Sequence, residues 1–114
     1  MFVLVDGRNV QRSRWPNVSD EELVAACCAW AARGGHRAVV VFDGRAPERE
    51  PDGTCEVVGT GGESADDWIA RRAGELDGDP FWLVTSDREL RDRAGASAAE
   101  ITGGGRFLSL LGLR

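Results

Sequence analysis

The sequence predicts an α/β fold built on a mainly parallel sheet of four or five strands. Two observations support this prediction: short, continuous apolar runs recur along the chain, and segments with helix-capping signals separate them. Continuous apolar runs indicate strands that are buried on both faces, as in parallel sheets. The regular alternation of strands and helices favours an α/β architecture.

The first half of the chain predicts a strand, a long helix and a second strand. Strand one covers Phe2–Val5, and a polar loop containing Arg8, Arg12, Arg14, Trp15 and Pro16 follows it. Ser19 and Glu22 form a capping box, which predicts a helix that begins there and ends at Gly34–Gly35. Strand two covers Ala38–Phe42.

The second half predicts further strands and helices and a long loop. Gly44–Thr54 is rich in Pro, Gly and charged residues, which predicts a mobile loop. The other predicted elements are strand Cys55–Val58, turn Gly59–Gly62, helix Ser64–Leu76, turn Asp77–Pro80, strand Phe81–Val84, a helix capped by Ser86 with Glu89 three residues later, edge strand Ala98–Ile101 and helix Arg106–Leu111. Residues 1–114 are predicted to form a single domain.

The composition excludes several classes of protein. No apolar run approaches about 20 residues, so no membrane-spanning segment is expected. The chain contains no Lys, which excludes lysine-dependent chemistry, and its N-terminus is interpreted as a strand rather than as a signal peptide. The net charge of −5 argues against a nucleic-acid partner, unless the acidic residues gather at one site and arginines surround it.

The three cysteines predict a reducing compartment. Their number is odd, no C-x-x-C spacing occurs, and Cys27 and Cys28 are adjacent within a predicted helix. This pattern predicts neither a zinc site nor a disulfide framework, and it favours Cys27 and Cys28 as small buried apolar residues. A cytoplasmic localisation is therefore expected.

Four aspartates occupy equivalent positions relative to the predicted strands. Asp6, Asp43 and Asp87 follow strands, and Asp66 lies at the start of a helix, at the border of its apolar face. Each one alone could be a turn residue or a helix cap. Because the C-terminal ends of parallel strands share one edge of a sheet, all four are expected to converge there. Carboxylates at such short distances repel one another unless a cation compensates their charge. Mg²⁺ and Mn²⁺ prefer oxygen ligands of this kind.

Several other side chains have two interpretations at this stage. Asn9 could be a turn residue or could orient the aspartate of strand one. Glu63 could cap its helix or bind metal through water. Trp15 could stack on a nucleic-acid base or pack over the core. Trp30 is expected in the core and His36 at the surface.

Four segments of the sequence resemble, in order, the motifs of the NYN domain: Val5–Val10, Val41–Asp43, Glu63–Ile69 and Val84–Asp87. The resemblance is to the YacP-like group of the PIN-like ribonucleases, and it extends from Phe2 to about Arg93. It implies a PIN-like three-layer α/β/α sandwich and a ribonuclease that depends on Mg²⁺ or Mn²⁺. Two departures are evident: Arg8 replaces the usual aromatic residue, and the loop Gly44–Thr54 and the C-terminus are short for the group.

The resemblance also implies roles for individual residues. Asp6, Asp66 and Asp87 would bind the metal, with Asp43 as an accessory acid and Asn9 as the asparagine of the motif. The predicted catalytic residues are these five. The predicted substrate contacts are Ser86 and five arginines: Arg8, Arg12, Arg14, Arg45 and Arg88. The arginines lie on predicted loops or helix starts near the same edge of the sheet, and arginine is suited to bidentate phosphate binding.

The expected partner is RNA, and no membrane partner is expected. Ribosome-associated mRNA as the substrate and a homodimer as the oligomeric state are left open. Two other functions also remain open: a catalytically idle RNA- or ribosome-binding module, and a Mg²⁺-dependent phosphatase that acts on small phosphates. The acidic net charge is the feature that favours the phosphatase.

Overall fold

Strands and helices alternate along the chain, as the sequence predicts. The structure is a computed structural model and describes residues 1–76 and 78–114. Its elements are β1 (Phe2–Asp6), α1 (Gly7–Gln11), α2 (Asp20–Gly34), β2 (Arg37–Phe42), β3 (Cys55–Gly59), α3 (Ala65–Glu75), β4 (Phe81–Val84), α4 (Arg88–Ala94), β5 (Glu100–Thr102) and α5 (Gly104–Leu111). Asp77, the first residue of a predicted turn, lies outside the described residues. Within the described part of the chain, no helix combines the length and the apolar character that crossing a membrane requires.

The five strands form one parallel sheet in the order β3-β2-β1-β4-β5. β1 lies at the centre, where Val5 is in register with Val40 of β2 and with Val84 of β4. The mainly parallel sheet predicted from the apolar runs is therefore confirmed. Because all five strands run in the same direction, the residues that follow them emerge at a single edge of the sheet.

Helices cover both faces of the sheet and produce the three layers of an α/β/α sandwich. On one face Val3 and Val5 of β1 belong to a buried cluster with Leu23 of α2 and Phe107 of α5. On the other face Leu4 belongs to a second cluster with residues of α3 and α4, among them Ile69 and Leu90. Adjacent residues of β1 thus enter opposite layers, as the pleat of a strand requires.

Local capping interactions fix the ends of the longer helices. The Ser19 hydroxyl accepts a hydrogen bond from the Glu22 N–H, and α2 is followed by Gly35 with φ of 68°. Ser64 caps α3 as predicted, because its hydroxyl accepts the N–H of Asp67. The prediction that Ser86 caps α4 is wrong: Asp87 is the cap and accepts the N–H groups of the second and third helical residues.

Short elements depart most from the predictions. The segment predicted as a loop after β1 begins with the helix α1. Gly7 permits this turn, because a Cβ there would lie 2.9 Å from the carbonyl oxygen of Val41. β5 and α5 are displaced by about two residues from their predicted starts at Ala98 and Arg106. Elements of this length contain too few residues to show a periodicity.

The prediction that the cysteines form no disulfide is wrong. Cys28 of α2 and Cys55 of β3 are joined by a disulfide bond with a Cα–Cα distance of 5.2 Å, whereas Cys27 is free and buried. The pairing depends on α2 packing over β3, which the spacing of cysteines in the sequence does not reveal. The cysteine pattern therefore no longer supports a reducing compartment, and the cytoplasmic localisation stays a prediction.

His36 was expected at the surface, and the structure shows it half-buried. Its ring stacks on Trp30 with a centroid distance of 4.6 Å and lies 5.3 Å from the ring of Trp82. Its Nδ1 atom is buried without a hydrogen-bond partner among the described residues. Trp30 is partly buried against the core, consistent with its predicted place. The sequence could not show that these three rings meet at the end of α2.

Candidate active site

The four aspartates singled out in the sequence lie at the C-terminal edge of the sheet. Asp6 ends β1, Asp43 follows β2, and Asp87 follows β4 as the cap of α4. Asp66 lies in the first turn of α3, which follows β3. We call these four residues the acidic rim.

Asp6 is the most buried member of the acidic rim. Its exposed fraction is 5%. Its pKa is raised from 3.8 to about 6. Burial is the largest cause, the negative charges of Asp66 and Asp43 add to it, and hydrogen bonding to Thr85 and to the backbone of Asn9 opposes it. The Asp6 carboxylate is thus held where water solvates it poorly and where other carboxylates repel it.

Asp66 is also repelled by neighbouring carboxylates. Partial burial is the main reason that its pKa is raised, and the charges of Asp87, Asp43 and Glu89 add to the shift. Arg93 acts in the opposite direction. Within the acidic rim, the charges of Asp43 and Asp66 thus act on Asp6, and those of Asp43 and Asp87 act on Asp66. Glu89 also raises the pKa of Asp66, although no sequence motif marks it as part of the site.

Backbone N–H groups hold two of the other carboxylates in place. The Ala65 N–H donates to Oδ1 of Asp43 at 2.7 Å, which connects the end of β2 to the start of α3. Oδ1 of Asp87 accepts the N–H groups of Glu89 and Leu90. Among the described residues, Oδ2 of Asp43 and Oδ2 of Asp87 take part in no hydrogen bond. Each side chain is thus fixed through one oxygen, and its second oxygen is available.

Thr85 connects two members of the acidic rim, and the sequence analysis missed it. It is fully buried; its hydroxyl donates to Oδ2 of Asp6 at 3.0 Å and accepts the N–H of Asp87 at 3.1 Å. The available signal was a polar residue directly after the apolar run of β4. A buried hydroxyl there requires a partner.

Asn9 does not contact Asp6 through any of the described side-chain hydrogen bonds. Its Oδ1 instead accepts the N–H of Ser86 at 2.8 Å, and the Ser86 hydroxyl accepts the N–H of Gly104. These two bonds connect α1, the β4–α4 loop and the start of α5. Ser86 is therefore occupied within the fold, and this explains why it does not cap α4.

Two of the arginines predicted to contact substrate are already bound within the protein. Arg8 donates to Asp20 at 2.6 Å and to Gln11 at 2.9 Å, and its guanidinium lies 5.0 Å from the ring centroid of Phe42. Arg14 donates to the carbonyl oxygen of Leu113 and pairs with Glu22 at 3.2 Å.

The other three predicted arginines are exposed. Arg12, Arg45 and Arg88 form no ion pair among residues 1–76 and 78–114. Arg88 is the first residue of α4, next to Asp87, and Arg45 lies two residues beyond Asp43. Arg45 and Arg88 are thus close in sequence to members of the acidic rim, and the role of all three arginines in substrate binding stays a prediction.

Two other acids near the rim are paired with arginines. Glu63 accepts two hydrogen bonds from Arg71, so its carboxylate is occupied by an exposed ion pair. Asp67 is exposed, as predicted, and pairs with Arg93 at 2.9 Å. Asp66 thus faces the rim, whereas its neighbour Asp67 does not.

The chemistry of the acidic rim fits a hard divalent cation. Its donors are carboxylate oxygens, which Mg²⁺ and Mn²⁺ prefer, and their mutual repulsion would be relieved by a positive ion. No three acidic, His or Cys side chains in the described residues are grouped closely enough to hold a metal together. Binding at the rim therefore requires either side-chain movement or bridging water, and Mg²⁺ commonly retains several waters.

The parallel α/β/α sandwich defines the class of fold as PIN-like. The crystal structure of a tryptophan-to-leucine mutant of Rae1 (YacP) from Bacillus subtilis matches it with a TM-score of 0.77 at 24% identity, over 97% of this chain and 74% of that one. At that level of identity the match establishes the fold. The chain belongs to the family of YacP-like NYN domains, whose model matches residues 3–111, and this is a nuclease-like family.

A curated relative is also similar over part of the chain. UPF0178 protein Atu1478 from Agrobacterium fabrum is 39% identical over 64 residues, which are 56% of this chain and 39% of the relative. The chain thus matches about two fifths of the length of that protein.

Proposed function

We propose that this protein is a divalent-metal-dependent ribonuclease that hydrolyses RNA phosphodiester bonds at the acidic rim. The observation that carries the proposal is the electrostatic state of Asp6. Asp6 is 5% exposed, and burial together with the charges of Asp66 and Asp43 raises its pKa to about 6. A buried carboxylate that other carboxylates repel is unfavourable unless a cation or a proton compensates its charge. The family of YacP-like NYN domains supports the nuclease assignment.

Each residue of the rim has a proposed role that follows from its surroundings. Asp6, Asp66 and Asp87 would hold Mg²⁺ or Mn²⁺, which when bound neutralises the scissile phosphate and activates water. Asp43 is exposed, and its Oδ2 has no hydrogen-bond partner among the described residues, so it is placed to accept a proton from the attacking water. Thr85 positions Asp6 and Asp87 relative to each other through its single hydroxyl.

The exposed arginines would bind the RNA backbone. Arg12, Arg45 and Arg88 have no carboxylate partner in the described ion pairs, so a phosphate would not have to displace one. Arg8 and Arg14 are held by hydrogen bonds within the fold, so they would contribute mainly by fixing the surface that the RNA meets.

The proposal is tested by removing single charges from the rim. Asp6→Asn and Asp66→Asn should each abolish Mg²⁺- or Mn²⁺-stimulated cleavage of a labelled RNA, with EDTA as the metal-free control. Asp67→Asn is the matched control, because Asp67 is the next residue in α3 but pairs with Arg93 at 2.9 Å. It should retain activity. Full cleavage by Asp6→Asn, with a normal unfolding transition, would overturn the assignment.

A catalytically idle RNA-binding module is the second candidate. The observation in its favour is that no three potential ligands within the described residues form a ready metal site. Such a module would bind RNA equally well with and without a divalent cation and would show no turnover. A substrate panel that includes small phosphate monoesters distinguishes both candidates from a phosphatase.

A further inference from the structure

Trp15 is the most exposed large apolar side chain in the described part of the chain. Its exposed fraction is 88%, against 46% for Met1, 44% for Leu110 and 39% for Ile101. The sequence left open whether this indole packs over the core, and the structure excludes that role. An indole carries a large apolar surface, and leaving it in water forgoes the stabilisation that burial would provide.

The loop that presents Trp15 is closed tightly at its base. The Val18 N–H donates to the carbonyl oxygen of Gln11 at 3.2 Å, and the Gln11 side-chain amide donates to the carbonyl oxygen of Val18 at 3.0 Å. Both of these residues are buried. Residues 12–17 therefore form a loop whose two ends are held together by hydrogen bonds between buried residues.

Arg14 fixes the middle of the same loop. Its guanidinium donates to the carbonyl oxygens of Pro16 and Leu113 at 3.2 Å and 3.0 Å, and it pairs with Glu22. The residues on both sides of the indole are thus held by hydrogen bonds, while the indole itself projects into solvent. This arrangement pre-organises a flat apolar surface, which lowers the entropic cost of binding another flat group.

One arginine of the Trp15 loop is available to bind a phosphate. Arg12 is exposed, donates from Nε to the carbonyl oxygen of Arg8 at 3.2 Å, and forms none of the described ion pairs. A hollow of about 370 Å³ at the base of the loop is lined by Arg8, Gln11, Arg12, Asn17, Val18, Ser19 and Asp20. An arginine that is available for phosphate, next to an exposed aromatic ring, is the combination that binds unpaired nucleotides.

The loop is also close in sequence to Asp6 of the acidic rim. α1 begins directly after Asp6 and is followed by the loop. A five-residue helix and four extended residues span at most roughly 20 Å, so Trp15 is within reach of a short strand bound at the rim.

We infer that Trp15 is a stacking platform for an unpaired base of the substrate, and that the protein therefore selects single-stranded over double-stranded RNA. The inference rests on the proposed function in taking RNA as the ligand. A base within a duplex is already stacked on both faces, so the exposed indole distinguishes the two forms. Sequence preference is not expected from this contact, since every base has a π face.

The test measures binding without cleavage. A labelled single-stranded RNA of about 12 nucleotides and the same RNA in a duplex are titrated with the protein in EDTA. Trp15→Ala should weaken single-strand binding by about 5- to 150-fold and leave duplex binding unchanged. Trp15→Phe should retain most of the affinity, and Leu110→Ala, an exposed apolar residue on α5, should behave as wild type.

Fluorescence gives a second readout that does not depend on affinity. Single-stranded RNA should quench the indole emission of the wild-type protein, and this quenching should be largely lost in Trp15→Phe although the RNA still binds. Equal single-strand affinity of Trp15→Ala and wild type, or equal losses for single strand and duplex, would overturn the inference. So would a wild-type protein that binds no single-stranded RNA. Because no metal is present, these outcomes are independent of whether the rim cleaves RNA.

Discussion

The geometry of the acidic rim depends on a single hydroxyl group, that of Thr85. It donates to Asp6 and accepts the N–H of Asp87, so one oxygen atom fixes two of the proposed metal ligands. Because the hydrogen bond from Thr85 lowers the pKa of Asp6, it also favours the charged form of that carboxylate. A structural threonine and a positioning threonine would look alike in the sequence, but they differ in what their replacement does to Asp6.

Thr85→Val should separate these two roles. The shape of the side chain is nearly kept, but Asp6 loses a donor and Asp87 loses an acceptor, so we expect a loss of roughly 1–3 kcal/mol in the free energy of unfolding. The pKa of Asp6 should rise further, which shifts the acidic limb of the pH–rate profile upward. Thr85→Ser retains the hydroxyl and should restore both properties. An unshifted acidic limb in Thr85→Val would show that Thr85 has only a structural role.

The raised pKa of Asp6 also predicts a pH dependence of stability in the absence of metal. The pKa is about 6 in the folded protein and ordinarily 3.8, so the folded state binds this proton more tightly than the unfolded state does. The stabilisation is complete below the ordinary pKa and is lost as the pH rises through about 6. Above that pH the wild type buries a charge, at a cost of roughly 3 kcal/mol.

Asp6→Asn removes this cost and should therefore be more stable than wild type near neutral pH. The difference should shrink as the pH falls through about 6 and be smallest below the ordinary pKa of 3.8, where Asp6 is protonated in both states. Urea unfolding in EDTA at several pH values measures it. A constant difference between the variant and wild type across this range would contradict the electrostatic account of the rim.

At the scale of elements, the disulfide between α2 and β3 joins a helix of one outer layer to an edge strand of the sheet. Cys28 and Cys55 are separated by 27 residues, so the bond closes a loop that includes β2 and the segment Gly44–Thr54. β3 pairs only with β2 among the described strands, and the disulfide adds a covalent link from this edge strand to α2.

Removing the disulfide should destabilise the fold without acting on the rim directly. Closing a loop of this length contributes roughly 3–4 kcal/mol through the chain entropy of the unfolded state. The double variant Cys28→Ala with Cys55→Ala should unfold at lower urea than wild type, and a reductant should lower the wild-type midpoint but not that of the variant. Cys27→Ala, which changes the free buried thiol, should keep the response to reductant. A wild-type urea midpoint that does not change with reductant would contradict the stabilising role of the disulfide.

At the scale of the whole molecule, the net charge of −5 does not describe every part of the surface equally. Four aspartates are concentrated at one edge of the sheet, and exposed arginines such as Arg12, Arg45 and Arg88 lie on the adjoining loops and helix starts. The average charge, which favoured a small substrate in the sequence analysis, therefore says little about the surface that a nucleic acid would meet.

A divalent cation should stabilise the whole fold through this edge. Mg²⁺ or Mn²⁺ at about ten times its Kd should raise the free energy of unfolding by roughly 1.4 kcal/mol, because it binds the folded state alone. Thermal unfolding with NaCl at matched ionic strength is the control for screening. Asp66→Asn should lose the effect and Asp67→Asn should keep it. Equal shifts with NaCl and with the divalent cation would argue against a specific site.

Sequence patterns predicted the longer helices and the main strands. They missed the short elements and the contacts between residues far apart in the chain. Ser19 and Gly35 delimit α2 as predicted, because capping acts between neighbours in the chain. α1 was missed, because five residues in contact with the end of β2 are stabilised by tertiary packing rather than by periodicity. The pairing of Cys28 with Cys55 and the stacking of His36 on Trp30 were missed for the same reason.

The sequence alone determined the parallel α/β architecture, the family resemblance and the four aspartates, since apolar runs, caps and motifs are local properties of the chain. Only the tertiary structure decided how these parts act on one another. It buried Asp6 beside Asp66 and Asp43, inserted Thr85 between two aspartates, and left Trp15 in solvent on an anchored loop. Burial and electrostatic coupling depend on distances between residues far apart in the chain, and no local pattern specifies those distances.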